Sequence, residues 1–76
     1  MREVVEYIAR NLVDDPDAVE VTESNDGRTT VVRLHVAPGD MGKVIGRGGR
    51  TARAIRAVVR VAAAGTGDSV MVEIAD

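Results

Sequence analysis

Val44-Ile45-Gly46-Arg47-Gly48-Gly49-Arg50 joins an apolar pair to a glycine loop set with arginines, and a helical pattern begins directly after it. Between Met41 and Arg60 lie six basic residues (Lys43, Arg47, Arg50, Arg53, Arg56 and Arg60) and no acid, while the whole chain carries a net charge of −2. Everything outside that window therefore carries −8. An acidic chain that gathers its positive charge in one segment builds a local anion site, and a track of six cations suits a polyphosphate backbone.

Working outward from the loop, Ile55, Val58, Val59 and Ala62 fall at i, i+3, i+4 and i+7, which predicts a helix over about 50–64 with those four turned inward. Gly65 reads as its C-terminal stop. On the other side, Pro38-Gly39-Asp40 is a turn, and Asp40 is placed to cap a short helix over 41–45. Upstream, Val5, Ile8 and Leu12 mark a first helix over 2–13, ended by Asp14-Asp15-Pro16-Asp17 because Pro16 disfavours helical geometry at Asp15. Val19 and Val21 alternate with polar neighbours as a half-buried strand does. Asn25-Asp26-Gly27 is a hairpin signal, and 29–36 returns as a β-branched strand with Val32, Leu34 and Val36 on one face. Val70, Val72 and Ile74 make the last strand. The order is α-β-β-α-α-β, one α+β domain over residues 1–76.

Composition bounds the rest. Seventy-six residues with one aromatic, Tyr7, give a small aliphatic core with a thin margin of stability. The chain has no cysteine, hence no disulfide framework or thiolate metal site. No apolar run approaches the roughly 20 residues of a membrane span, and the N-terminus, with Glu3 and Glu6, does not read as a signal peptide. A cytoplasmic protein without membrane contact or cofactor is the expectation.

The loop chemistry follows from its residue types. Gly46, Gly48 and Gly49 let backbone N–H groups approach phosphate oxygens, the following helix offers its N-terminal dipole, and Arg47 and Arg50 add charge. Arg53, Arg56 and Arg60 extend it along the helix at i+3 and i+4 spacing. A Walker A loop is excluded by the missing Gly-Lys-Ser/Thr ending, and a dinucleotide fingerprint by spacing. His35 points away from the Val32, Leu34, Val36 face and reads as a surface or sheet-edge residue. Asp14, Asp15 and Asp17 lack the glycine and glutamate of an EF-hand and read as a helix terminator. No nucleophile, base and orienting group can be assembled, so no enzyme is expected.

Val44-Ile45-Gly46-Arg47-Gly48-Gly49 resembles the V-I-G-x-x-G signature of a KH domain, whose loop clamps the backbone of about four nucleotides. With a helix and hairpin before the motif and one strand after it, the chain is similar to the type II arrangement: a three-stranded sheet with helices packed on one face. Residues 37–46 and 54–59 look like the small stand-alone bacterial KH-domain proteins. The resemblance implies binding of single-stranded or unpaired RNA. Lys43, Val44, Ile45, Gly46, Arg47, Gly48, Gly49, Arg50, Arg53 and Arg56 are the RNA-binding residues it points to. Val44, Ile45 and the exposed side of the following helix would line an apolar base groove closed by the last strand. It implies a chaperone or post-transcriptional role for RNA, and pairing as a homodimer or with a second KH-containing protein. The scarcity of aromatics argues against an RRM.

Two positions depart from the family pattern. Gly48 replaces a polar or basic residue, which removes one side-chain contact to phosphate. Thr51-Ala52 replaces an aliphatic position, which implies looser helix packing. A protein-interaction module that dimerises or docks on a larger RNA-binding partner or the ribosome is the alternative. A site for a small phosphorylated ligand fits less well, since six cations exceed what one ligand needs.

Overall fold

The computed structural model describes residues 1–67 and 69–76. Helix α1 (Arg2–Leu12) is followed by a 3-10 turn at Pro16–Ala18, strands β1 (Glu20–Asp26) and β2 (Thr29–His35), and a second 3-10 turn at Pro38–Asp40. Helix α2 (Met41–Ile45), a tight turn at Arg47–Gly49, helix α3 (Arg50–Ala63) and strand β3 (Ser69–Ala75) complete the chain. The expected order and fold class hold.

β2 is the centre of the sheet, antiparallel to β1 and parallel to β3. Its alternation decides which face is buried: Val32 and Leu34 are fully buried, Thr30 and Val36 nearly so. In the same rows stand Val21 opposite Leu34 and Val72 opposite Val32. Helices α1 and α3 cover this face with Val5, Ala9, Ile55 and Val59, all at most 2% exposed. The core is aliphatic throughout, and Tyr7 lies on the outer side of α1, 72% exposed. In such a core each side chain carries a visible share; Leu34→Ala would cost roughly 2–5 kcal/mol.

The hairpin turns on Gly27 and Arg28, because Asp26 still pairs with Thr29. Only Gly27 has positive φ there, which matches the tight turn with glycine first rather than an Asp-Gly centre. His35 ends the central strand on the uncovered face, opposite Glu20 and Ala75, so it is on the surface side but not at a sheet edge.

Three local expectations are corrected. The buried face of α3 is Ala52, Ile55, Val59 and Ala63. Val58 is 43% exposed and Ala62 is exposed, because the helix is rolled so that this flank runs beside α1. The residue in left-handed geometry after α3 is Gly67 (φ 78), not Gly65; the helix end is instead tied by the Thr66 hydroxyl and amide, which both donate to Ala63 O. Asp40 makes no side-chain cap on α2. Its carboxylate is buried and accepts the backbone N–H groups of Asp14 (3.2 Å) and Asp15 (3.1 Å). It thus pins the chain leaving α1 to the helix that enters the glycine loop.

Candidate nucleic-acid interface

Each glycine of the loop has its own reason to be glycine. Gly46 sits at φ 75, ψ 170, and a Cβ there would collide with the Thr51 hydroxyl and come within 2.8 Å of the Thr51 Cβ and backbone nitrogen. Its bareness is used inward, where Thr51 packs beneath the loop. Ala52 beside it is only 4% exposed, so the Thr51-Ala52 pair does not loosen α3: small residues are what the close approach of loop and helix requires. Gly48 (φ 63, ψ 17) and Gly49 (φ 79, ψ 14) are consecutive left-handed residues; a Cβ on Gly48 would meet open space, and one on Gly49 only the Arg53 guanidinium at 3.5 Å. A side chain at either would be strained by backbone geometry, at about 1–2 kcal/mol, rather than by crowding.

The hydrogen bonds of the loop divide its polar groups by direction. Gly46 N–H donates to Gly42 O, Gly49 N–H to Gly46 O and Arg50 N–H to Arg47 O, while Gly48 O accepts from Arg53 Nη1 at 2.9 Å. The carbonyls of Gly46, Arg47 and Gly48 are therefore all engaged. The N–H groups of Arg47 and Gly48 have no acceptor among the described residues. Two successive N–H groups, one from a residue of negative φ and the next from a left-handed glycine, form the concavity in which backbone dipoles gather an anion.

The six cations are not equivalent. Lys43 Nζ lies 3.0 Å from Asp14 Oδ2 and 4.0 Å from Asp40 Oδ1. The Asp14 hydrogen bond and charge raise its pKa above the ordinary lysine value. The acid-free window around Lys43 thus acquires an acid, Asp14, from just beyond the end of α1, which sequence distance conceals. Arg53 is committed to the loop carbonyl. Arg47, Arg50, Arg56 and Arg60 form no ion pair among the described residues.

A concavity of about 200 Å³ lies between α3 and β3, where a base groove is expected, lined by Arg56, Val59, Arg60, Val70, Met71 and Val72. It is more basic than expected, and Val44 and Ile45 are not part of it. Val44 is fully buried, so it supports the loop from below and does not face a ligand. Ile45 is 37% exposed. Arg60, outside the ten expected contact residues, lines the groove, and the one-turn spacing from Arg56 was the signal for it.

A second surface carries almost no polar area. Val4 on α1 and Ala57, Val58, Val61 and Ala62 on α3 line a shallow apolar depression, continued by Ile8, Leu12 and Ala54. Val61 is 78% exposed. Among the described residues no helix is long and apolar enough to cross a membrane.

Comparison with known proteins agrees with this fold. RNA-binding protein KhpA of Caldanaerobacter subterraneus subsp. tengcongensis is 53% identical over 74 residues, which is 97% of this chain and 99% of the relative. RNA-binding protein KhpA of Halalkalibacterium halodurans is 50% identical over 76 residues and the full length of both chains. Among solved structures, Era in complex with MgGDPNP and nucleotides of 16S ribosomal RNA superposes with a TM-score of 0.61 at 18% identity. That match covers 96% of this chain and 28% of the other, and it speaks for the fold alone. Residues 2–74 match the family described as KhpA/KhpB, KH domain, and the chain belongs to that family.

Proposed function

We propose that the chain binds single-stranded or unpaired RNA, with the loop at residues 46–49 as the phosphate clamp. The observation that carries this reading is the pair of N–H groups at Arg47 and Gly48 that have no acceptor among the described residues, beside the side chains of Arg47 and Arg50, which form no ion pair among them. A phosphate seated there meets donors only. From that point Arg56 and Arg60 lead along the groove at the edge of β3, where bases would lie with apolar contact to Val70, above the buried Val59. The names of the relatives, RNA-binding protein KhpA, point the same way. A cytoplasmic role as an RNA chaperone or post-transcriptional regulator fits a single domain that reads few bases.

Fluorescence anisotropy with labelled single-stranded RNA tests the clamp, comparing the wild type with Arg47→Asp/Gly48→Asp and checking both folds by circular dichroism. Binding that falls with salt and is lost in the folded double variant supports it. Equal binding by both proteins, or none by either, rules it out for the isolated chain.

The apolar depression across α1 and α3 favours a second reading alongside the first: the chain pairs through this surface with a second KH-bearing chain, another copy of itself being the simplest case. Sedimentation across a range of salt concentrations tests it. An apolar pair persists at high salt, whereas RNA binding does not.

A further inference from the structure

We propose that Arg53 is a positioning residue for the RNA clamp, and that its guanidinium holds the Gly48–Gly49 peptide in the one orientation that keeps the loop electropositive. The inference rests on the clamp reading above and adds a division of labour among the arginines.

Gly48 and Gly49 are joined in the most freely rotating kind of dipeptide, and both stand at positive φ. The peptide plane between them has two faces with opposite electrical sense. As found, its carbonyl (Gly48 O) is turned to Arg53 Nη1 at 2.9 Å, and its N–H (Gly49) is turned to Gly46 O at 3.1 Å. Rotation of that plane would carry the Gly48 carbonyl toward the side where the N–H groups of Arg47 and Gly48 are free. A carbonyl oxygen there would repel a phosphate and cancel the concavity. The Gly49 hydrogen bond alone is a neutral contact at an exposed loop, worth little net stability. The bond from Arg53 is charge-assisted, and its donor is anchored on a regular turn of α3. A Cβ on Gly49 would lie 3.5 Å from the same guanidinium nitrogen, so the side chain lies along the loop and does not reach away from it.

The same geometry separates Arg53 from its neighbours on the helix. Arg56 and Arg60 line the groove and have no ion pair among the described residues, so they remain available to phosphate or base. Arg53 is charged but occupied.

The test pairs RNA anisotropy over a salt series with amide hydrogen exchange of the free protein, for the wild type, Arg53→Met, Arg53→Lys and, for contrast, Arg56→Met. For a positioning residue, Arg53→Met speeds exchange at the Gly49 amide in the absence of RNA. It also weakens binding roughly threefold to tenfold, the lower end for a charge-assisted bond because the loop is exposed, and leaves the slope of log K against log salt unchanged. Arg53→Lys, which keeps the charge but reaches the carbonyl poorly, restores little. Arg56→Met leaves loop exchange alone and lowers the slope by about 0.7. The proposal is overturned if Arg53→Met leaves loop exchange unchanged, or if it lowers the slope as Arg56→Met does and Arg53→Lys restores binding. A wild-type chain that binds no RNA would sink the clamp reading itself; the exchange measurement would still report whether Arg53 holds the loop.

Discussion

The two flanks of α3 carry different surface chemistry. Toward β3 the helix presents Arg56 and Arg60 over a basic groove; toward α1 it presents Val58 and Ala62 over an apolar one. Between them Ile55 and Val59 are buried to 2% or less. Fourteen residues thus serve three environments, and the forces expected on the two flanks respond oppositely to salt. Long-range attraction on the basic flank is screened, whereas burial on the apolar flank is not.

The largest effect is expected where the basic flank is reversed. Arg56→Glu with Arg60→Glu should weaken RNA binding roughly a hundredfold at moderate salt, read by anisotropy, with no change in the sedimentation of the protein. Loss of pairing together with RNA binding would break the separation of the flanks. Next comes a pair of adjacent valines. Val59→Ala removes a fully buried side chain and should cost roughly 2 kcal/mol in urea unfolding; Val58→Ala, at 43% exposure, should stay within about 0.5 kcal/mol. Equal costs would mean that the helix is rolled differently. On the apolar flank, Val61→Asp should weaken chain pairing about fivefold to tenfold while RNA binding per chain is kept, as measured by sedimentation and anisotropy on the same sample.

The smallest effect belongs to the exposed Asp14–Lys43 pair. Lys43 has its pKa raised by Asp14, so the pair's stabilisation is fully present below the ordinary lysine pKa of 10.5 and is lost as pH rises through the higher folded value. Asp14→Asn should therefore lower the melting temperature slightly at neutral pH. The difference from the wild type should shrink once the pH passes 10.5, and a difference that grows there would contradict the pairing.

The fold and the loop were legible because both are local. Strand alternation, the hairpin glycine and the glycine-arginine block act within a few residues of themselves. What the chain concealed was long-range or rotational. Asp40 looks like a helix cap until the N–H groups of Asp14 and Asp15, 26 and 25 residues earlier, are brought to it. Lys43 looks like a free cation until Asp14 arrives. The roll of α3 was ambiguous because two neighbouring stripes, Ile55-Val59-Ala63 and Val58-Ala62, are both apolar. Nothing in a single sequence says which stripe meets the sheet and which borders another helix. Val44 was assigned to the ligand side for a related reason: an apolar residue next to a binding loop can line the site or hold it up, and only burial distinguishes the two.

The parallel pairing of β2 with β3 carries a consequence for how the protein is made. Thr29 pairs with Ser69 and His35 with Ala75, so the sheet closes across a separation of 40 residues, and the whole loop-bearing segment lies within that span. Such a nonlocal closure is slow relative to hairpin formation. During synthesis the β1–β2 hairpin can form early, but Val32 and Leu34 keep an open edge until the last strand has emerged. The glycine loop is then assembled late: it gains its final backing only when nearly the whole domain has left the ribosome. A nascent chain should therefore acquire RNA affinity in a single late step.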